Sequence, residues 1–394
     1  MNSRFCFDEV HASLERWMDN DLIAMASCVI LSGQEIVDEY TCGFQDREQE
    51  IPLAMNSIFR LFSNTKPITA IAAMTLWEEG KFQLDDEIAS FLPRLANLRV
   101  LKKGTSQVTE TEPLERAPTV RQLMCHTAGF SYGLFLESPV DALYTERGVL
   151  HPASTLSSMV DTLSEIPLAY QPGDRFQYSV ASDVLGRLIE VWSGESFGEY
   201  IAKRIFEPLG MHDTAFYVPE SKHNRFCSLY AAADPEDPLK PGLSKSPDLF
   251  GDYTRPRPLE SGGGGLVGTI TDYTRFVQML MGGGKFEGKR IVSESTLNMM
   301  RTNQFPEGVN LQLPNWIMPN TVFGLGFALK QQPAEGEPFE AVDEFHWGGL
   351  AGTHSWMSPR GNLAALVFTQ RMPGFWHPYS HEFKRLVYQA MVNV

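Results

Sequence analysis

Long uninterrupted apolar runs are missing from this chain of 394 residues. The opening MNSRFCFDEVHASLERW is interrupted by charged residues and lacks a secretory leader pattern, and no later stretch reaches the roughly 20 apolar residues of a spanning helix. A cytoplasmic protein without a membrane partner is therefore expected. Cysteine is scarce and odd in number: five residues, Cys6, Cys28, Cys42, Cys125 and Cys227, with no C-x-x-C and no zinc-like pairing to histidine. They read as small buried or half-buried side chains. Positive charge is also short. Against 48 Asp and Glu stand 33 Lys and Arg, a net charge of -15, and no basic cluster is interleaved with aromatics, so nucleic acid is not an expected partner. No internal repeat is present.

What remains is an ordinary globular composition, 43% hydrophobic and 11% aromatic, in a chain long enough for one large core or two joined ones. Residues 7–18 put Val10, Leu14, Trp17 and Met18 on one helical stripe. MASCVIL and EIVDEYTCGF, separated by SGQ, read as a hairpin. Residues 66–79 predict a central helix, apolar on nearly every face and closed at Gly80. From 81 to 262 the pattern is mainly helical candidates and long loops, and a helix begins near Thr271. FGLGFALK, FEAVDEFHWGG, GTHSWMSPR and NLAALVFTQR have strand character, and 381–392 reads as a closing helix. The expected fold class is α/β. An antiparallel β-sheet flanked by helices would come from residues 1–80 and 263–394, with a mostly helical domain, 81–262, inserted and the site at their boundary.

Two serines compete for a chemical role. Ser196 lies in GESFG, a match to the G-x-S-x-G pattern of a nucleophile elbow, but an elbow needs a strand entering and a helix leaving. DVLGRLIEVW before it is a helical stripe and FGEYIAKRIF after it is another, so Ser196 with Glu199 predicts a capping box. Ser63 lies in FSNTKP. If it starts the buried helix, Lys66 is one turn further on the same face. The helix dipole and burial both disfavour a lysine cation there, and both lower its pKa toward that of a general base.

Company for this pair comes from PGDRFQYSVASDVLG, where a Pro-Gly turn presents Tyr178 just before a helix, and from HWGG at 346–349, where paired glycines permit close backbone approach. Together these elements resemble the serine beta-lactamase and penicillin-binding-protein superfamily, and more closely its esterase branch, the family VIII carboxylesterases. LMCHTAG, PLGMHDT and SGGGGLVGTITDYTRF are similar to further phrases of that superfamily, so the resemblance spans essentially the whole chain. It implies a serine carboxylesterase acting on small, short-acyl esters. Ser63 would be acylated, Lys66 and Tyr178 would form the acid/base network, and the N–H groups of Ser63 and Leu350 would hold the oxyanion. It implies no cofactor or metal. The small-molecule ester is the only partner it implies.

Two departures bear on substrate. The beta-lactamase branch has Asn where Val180 stands, and Lys-Thr-Gly where Trp347, Gly348 and Gly349 stand. A beta-lactam or D-Ala-D-Ala peptide would lose two recognition partners there, whereas a neutral ester would lose little. Trp347 is expected as an apolar wall, and strand alternation turns its neighbour His346 away from it. Tyr132, Trp316 and Met318 are candidates for the acyl or alcohol pocket. His126 is expected to fix a loop beneath the site, Asp272 to sit at a helix N-terminus, and the run 262–265 lacks the G-K-[ST] of a phosphate loop. An acyltransferase sharing the same acyl-enzyme, a class C-like beta-lactamase or D-Ala-D-Ala carboxypeptidase, and a non-catalytic binding protein are the competing functions.

Overall fold

The computed structural model describes residues 5–134, 138–248, 250–313, 318–375 and 377–392. Its first elements follow the periodicity of the chain. Helix α1 (Asp8–Asp19) turns Val10 and Leu14 inward, and the hairpin of β1 (Met25–Ser32) and β2 (Glu35–Asp46) closes at Gly33, whose φ of +61° suits a residue without Cβ. After a short strand β3 (Ile51–Pro52), helix α2 (Thr65–Glu78) is buried from Thr65 through Leu76 and is followed by Gly80 at φ +73°. The elements that matter for the site continue with α3 (Ala181–Ser193), α4 (Ile270–Met281), β4 (Thr321–Phe323) and β5 (Ala328–Lys330). The chain ends with β6 (Phe345–Gly348), β7 (Thr353–Ser358), β8 (Leu363–Phe368) and α5 (Pro378–Val392).

The eight strands form one antiparallel sheet in the order β4-β5-β6-β7-β8-β1-β2-β3. The two ends of the chain meet at β1 and β8, with Val29 opposite Leu366. Alternation along these strands divides the core into two layers. Ala26, Cys28, Ile30, Ala365 and Val367 pack with α1 and α5, whereas Val29, Leu31, Ala364, Leu366 and Phe368 face the larger cluster that holds α2 and α4.

Between α2 and α4 the chain forms short helices, loops and small β-ladders. Helix α3 packs on α2. Residues 58–60 pair with 267–269, clamping the chain just ahead of α2 to the chain just ahead of α4.

Two expected strands come out differently. FGLGFALK is a hairpin, not one strand: Gly326 has φ +92°, and a Cβ there would lie 2.3 Å from the Ala70 Cβ of α2. FEAVDEFHWGG is strand only over Phe345–Gly348, because 339–341 form a 3-10 turn after Pro338.

Candidate active site

Ser63 is the middle residue of a 3-10 turn, Phe62–Asn64, that runs directly into α2. Phe62 takes φ +45°, a strained value for an aromatic residue, and its ring packs edge-on to Phe250 and Tyr253. One turn on, Lys66 is 2% exposed, with Nζ 3.3 Å from Ser63 Oγ and donating to the Gly263 carbonyl at 2.7 Å. Its ammonium lies 4.4 Å from the Tyr178 ring centroid and 5.2 Å from that of Tyr132. Burial pulls the Lys66 pKa down to about 7, partly opposed by the Asp183 carboxylate.

Tyr178 stands three residues before α3 and is fixed on several sides. Its ring stacks on Tyr132 at 5.5 Å and 16°, its hydroxyl accepts the Trp347 Nε1–H at 3.3 Å, and the same hydroxyl is hydrogen-bonded to Ser63. Burial pushes the phenol pKa up, opposed by the bonds from Ser63 and Trp347.

The glycine run works by close approach. Asp183, in the first turn of α3, accepts from the Ser261 hydroxyl and from the Gly263 N–H at 3.1 Å. The peptide groups of Gly263 are thus held by Asp183 at the nitrogen and by Lys66 at the oxygen. A Cβ on Gly263 would sit 2.5 Å from Asp183 Oδ2, and one on Gly262 would sit 2.4 Å from the Ser182 carbonyl. Burial raises the Asp183 pKa, with Lys66 acting in the opposite direction.

Gly349 plays the matching part on the sheet. Its N–H donates to Thr353 at 2.6 Å, and a Cβ there would meet the Leu61 carbonyl at 2.3 Å. Thr353 in turn donates to Leu61 O and accepts from the Asn64 amide, each at 3.0 Å. The β6–β7 turn is thereby pressed against the turn that carries Ser63. Leu350 and Ser63 both line the resulting pocket, and among the described residues the Leu350 N–H donates to no acceptor.

That pocket holds ≈ 860 Å³ of space, including its open mouth. Tyr132 and Tyr178 line it, and its walls are mainly apolar, with Leu134, Leu150, Leu259 and Phe375 among them. Other expected residues are placed elsewhere. Trp347 is 1% exposed and stands behind Tyr178 as its support, not as a pocket wall, because the β6 pleat aims it at the Tyr178 ring. Gly348 and Gly349 shape the backbone and do not line the cavity. Met318 packs in the cluster with Trp347 and Phe323 and borders a second cavity beside α5. Trp316 lies outside the described residues. His346 faces that second cavity, opposite to Trp347.

His126 is buried at φ +57°, with Nδ1 3.2 Å from Ser179 Oγ and its carbonyl accepting the Gln177 N–H, so it fixes the loop that presents Tyr178. Burial, and then the Lys66 charge, push its pKa well below the usual histidine value. Asp272 is in the first turn of α4: its N–H donates to the N-cap Thr269 hydroxyl at 3.0 Å, and its carboxylate accepts the Asp213 N–H at 2.7 Å. Ser196 caps the helix Phe197–Ile201: its hydroxyl accepts the Glu199 N–H at 3.2 Å and Glu199 accepts the Ser196 N–H at 3.3 Å.

Sequence reasoning missed Asp183, Ser261 and Arg257. An acid buried in the first turn of α3 is the signal that Asp183 offers, whereas nothing in the local pattern singles out Arg257, which lines the pocket from a Pro- and Arg-rich loop.

The sheet, the flanking helices and the inserted helical segment define the architecture of the beta-lactamase and penicillin-binding-protein superfamily. The chain belongs to the Beta-lactamase family, whose model matches residues 11–388. Protein Rv1367c of Mycobacterium tuberculosis is 31% identical over 373 residues, covering 93% of this chain and 90% of that protein. Esterase EstB of Burkholderia gladioli is 29% identical over 357 residues, with 87% and 85% covered. The solved structure of EstCE1, described as a hydrolase with promiscuous acyltransferase activity, superposes with a TM-score of 0.78 at 25% identity, covering 96% of this chain and 97% of that one. The protein is a serine hydrolase or acyltransferase of this superfamily. No helix among the described residues is long and apolar enough to cross a membrane.

Proposed function

We propose that the protein is a serine carboxylesterase that hydrolyses small esters through a Ser63 acyl-enzyme. The observation that carries this is the convergence of the Ser63 and Tyr178 hydroxyls in the wall of one largely apolar pocket, with a buried Lys66 amine of pKa about 7 beside them. A hydroxyl is a weak nucleophile until a base takes its proton, and near neutral pH a substantial fraction of Lys66 is the free amine. Ser63 Oγ attacks the ester carbonyl while its proton passes to the Lys66–Tyr178 pair. The N–H groups of Ser63 and Leu350 receive the charge that develops on the carbonyl oxygen, a task for which one donor is commonly worth about 3 kcal/mol. The carbon–oxygen bond to the alcohol then breaks and the alcohol leaves with the proton. Water repeats the cycle on the acyl-serine, giving the carboxylic acid and free Ser63.

Asp183 is assigned a positioning role: through the Gly263 peptide and its charge it fixes the place and the proton affinity of Lys66. Val180 and Trp347 stand where the beta-lactam branch carries its Asn and Lys, which favours esters over beta-lactams. A second activity, acyl transfer to an added alcohol, is favoured by the apolar pocket and by the description of EstCE1.

The test is turnover of p-nitrophenyl butyrate beside a chromogenic cephalosporin, with intact mass recorded after an acylating inhibitor. Ser63→Ala should cost about 10³-fold or more in kcat and remove the covalent adduct. Ester turnover that survives Ser63→Ala would refute the acyl-enzyme at this position, and transfer exceeding hydrolysis in added alcohol would make the protein chiefly an acyltransferase.

A further inference from the structure

Arg257 is the only charged side chain lining the Ser63 pocket among the described residues. Its surroundings are unlike those of the buried Arg60 nearby. Arg60 is paired with Asp248, whereas Arg257 forms no ion pair among the described residues. Its partners are carbonyl dipoles: Nη1 donates to Phe250 O at 2.7 Å, and Nη2 to Gly265 O at 3.2 Å and Phe216 O at 3.4 Å. Nε is buried and has no hydrogen-bond partner among the described residues, and the guanidinium carbon lies 3.8 Å from the Tyr253 ring centroid. Tyr253 packs in turn on Phe62, the residue before Ser63.

The cation is therefore held rigidly and close to the reacting serine, with its charge uncompensated in a wall that is otherwise mostly apolar. Carbonyl dipoles fix a guanidinium without neutralising it, and a charge in such a setting favours an incoming anion. The net charge of -15 gives no general attraction for anions, so any selectivity for one must come from this local contact.

The geometry points to Arg257 as a specificity-determining residue that selects esters bearing a second, ionised carboxylate on the acyl or the alcohol half. This rests on the carboxylesterase assignment above. The reaction is unchanged: the ester carbon–oxygen bond breaks, water is added, and the distal carboxylate stays intact against the guanidinium.

Two matched pairs test it. Monoethyl glutarate against ethyl valerate places the carboxylate on the acyl half, and the acetyl ester of γ-hydroxybutyrate against butyl acetate places it on the alcohol half. In the wild-type enzyme the anionic member of at least one pair should have a kcat/KM higher by about tenfold or more, as expected of a charge-assisted hydrogen bond. Arg257→Gln should bring that ratio toward one, and Arg257→Lys should restore part of it; a clamp that merely held the loop would lower both members together. A wild-type ratio near one in both pairs, or a ratio unchanged in Arg257→Gln, overturns the assignment. Thermal-shift titration of wild-type enzyme with the ketone analogues of the four esters, in which a methylene replaces the ester oxygen, reads binding without turnover. Selective stabilisation by the anionic members would support Arg257 even if ester hydrolysis proved independent of Ser63, and equal stabilisation would overturn it, so the two assignments fail separately.

Discussion

Lys66 titrates where its chemistry would need it to. On the proposed mechanism the free amine is the base, so turnover should rise with pH through about 7 as Lys66 loses its proton. The Asp183 carboxylate holds that pKa up against burial, so removing the charge should lower it further. Asp183→Asn is accordingly expected to move the acid limb of the kcat/KM profile to lower pH, together with a fall in the maximum as the Gly263 peptide loses its anchor. An unmoved limb would assign the titration to another group. That Ser63, Lys66 and Tyr178 meet is legible in the chain because their neighbours restrict the backbone: a proline after the lysine, a Pro-Gly turn ahead of the tyrosine. Asp183 was not, since its meaning depends on a glycine 80 positions later pressing against it. Trp347 was misread as a wall because the sequence gives its pleat face but not which side chain waits across it.

Helix boundaries were well marked by composition, and the helix that follows GESFG illustrates why a motif must be judged by what flanks it. Ser196 and Glu199 satisfy each other's backbone groups at the start of a short helix. Ser196→Ala should lower stability by about 1 kcal/mol, seen as a small fall in Tm, while ester turnover per folded molecule is unchanged. Loss of turnover without loss of stability would reverse the ranking of the two serines. The hairpin at 321–330 is harder to foresee, because FGLGFALK alternates large apolar side chains with glycines as a half-buried strand can, and the reversal depends on how closely Gly326 meets Ala70.

Across the whole molecule, acidic groups outnumber basic ones, yet several carboxylates are tied to cations. Burial would raise the Asp46 carboxyl, but Lys245 and Ser228 override it and bring it to about 2. Burial of Glu337 is likewise overridden by Lys384 and Lys330, again to about 2, and Arg225 leads the groups that hold Asp213 near the same value. These lie below the unfolded values of about 3.9 for Asp and 4.3 for Glu. Their contribution is thus present above pH of about 4 and lost as pH falls toward 2. Tm should decline over that window. Glu337→Gln, which leaves Lys330 and Lys384 short of a partner, should lower Tm at neutral pH and make the acid decline shallower; an equally steep decline would locate the sensitivity elsewhere.

The Gly263 peptide, gripped by Asp183 at one end and by Lys66 at the other, joins three stretches of chain that synthesis delivers far apart in time. On the proposed chemistry Leu350 arrives later still. A ribosome-bound or truncated chain that stops short of these residues has a reactive serine in its sequence but no assembled base and no complete oxyanion cradle. Hydrolysis would then report the completion of translation, and unfinished copies would be chemically silent toward the esters around them.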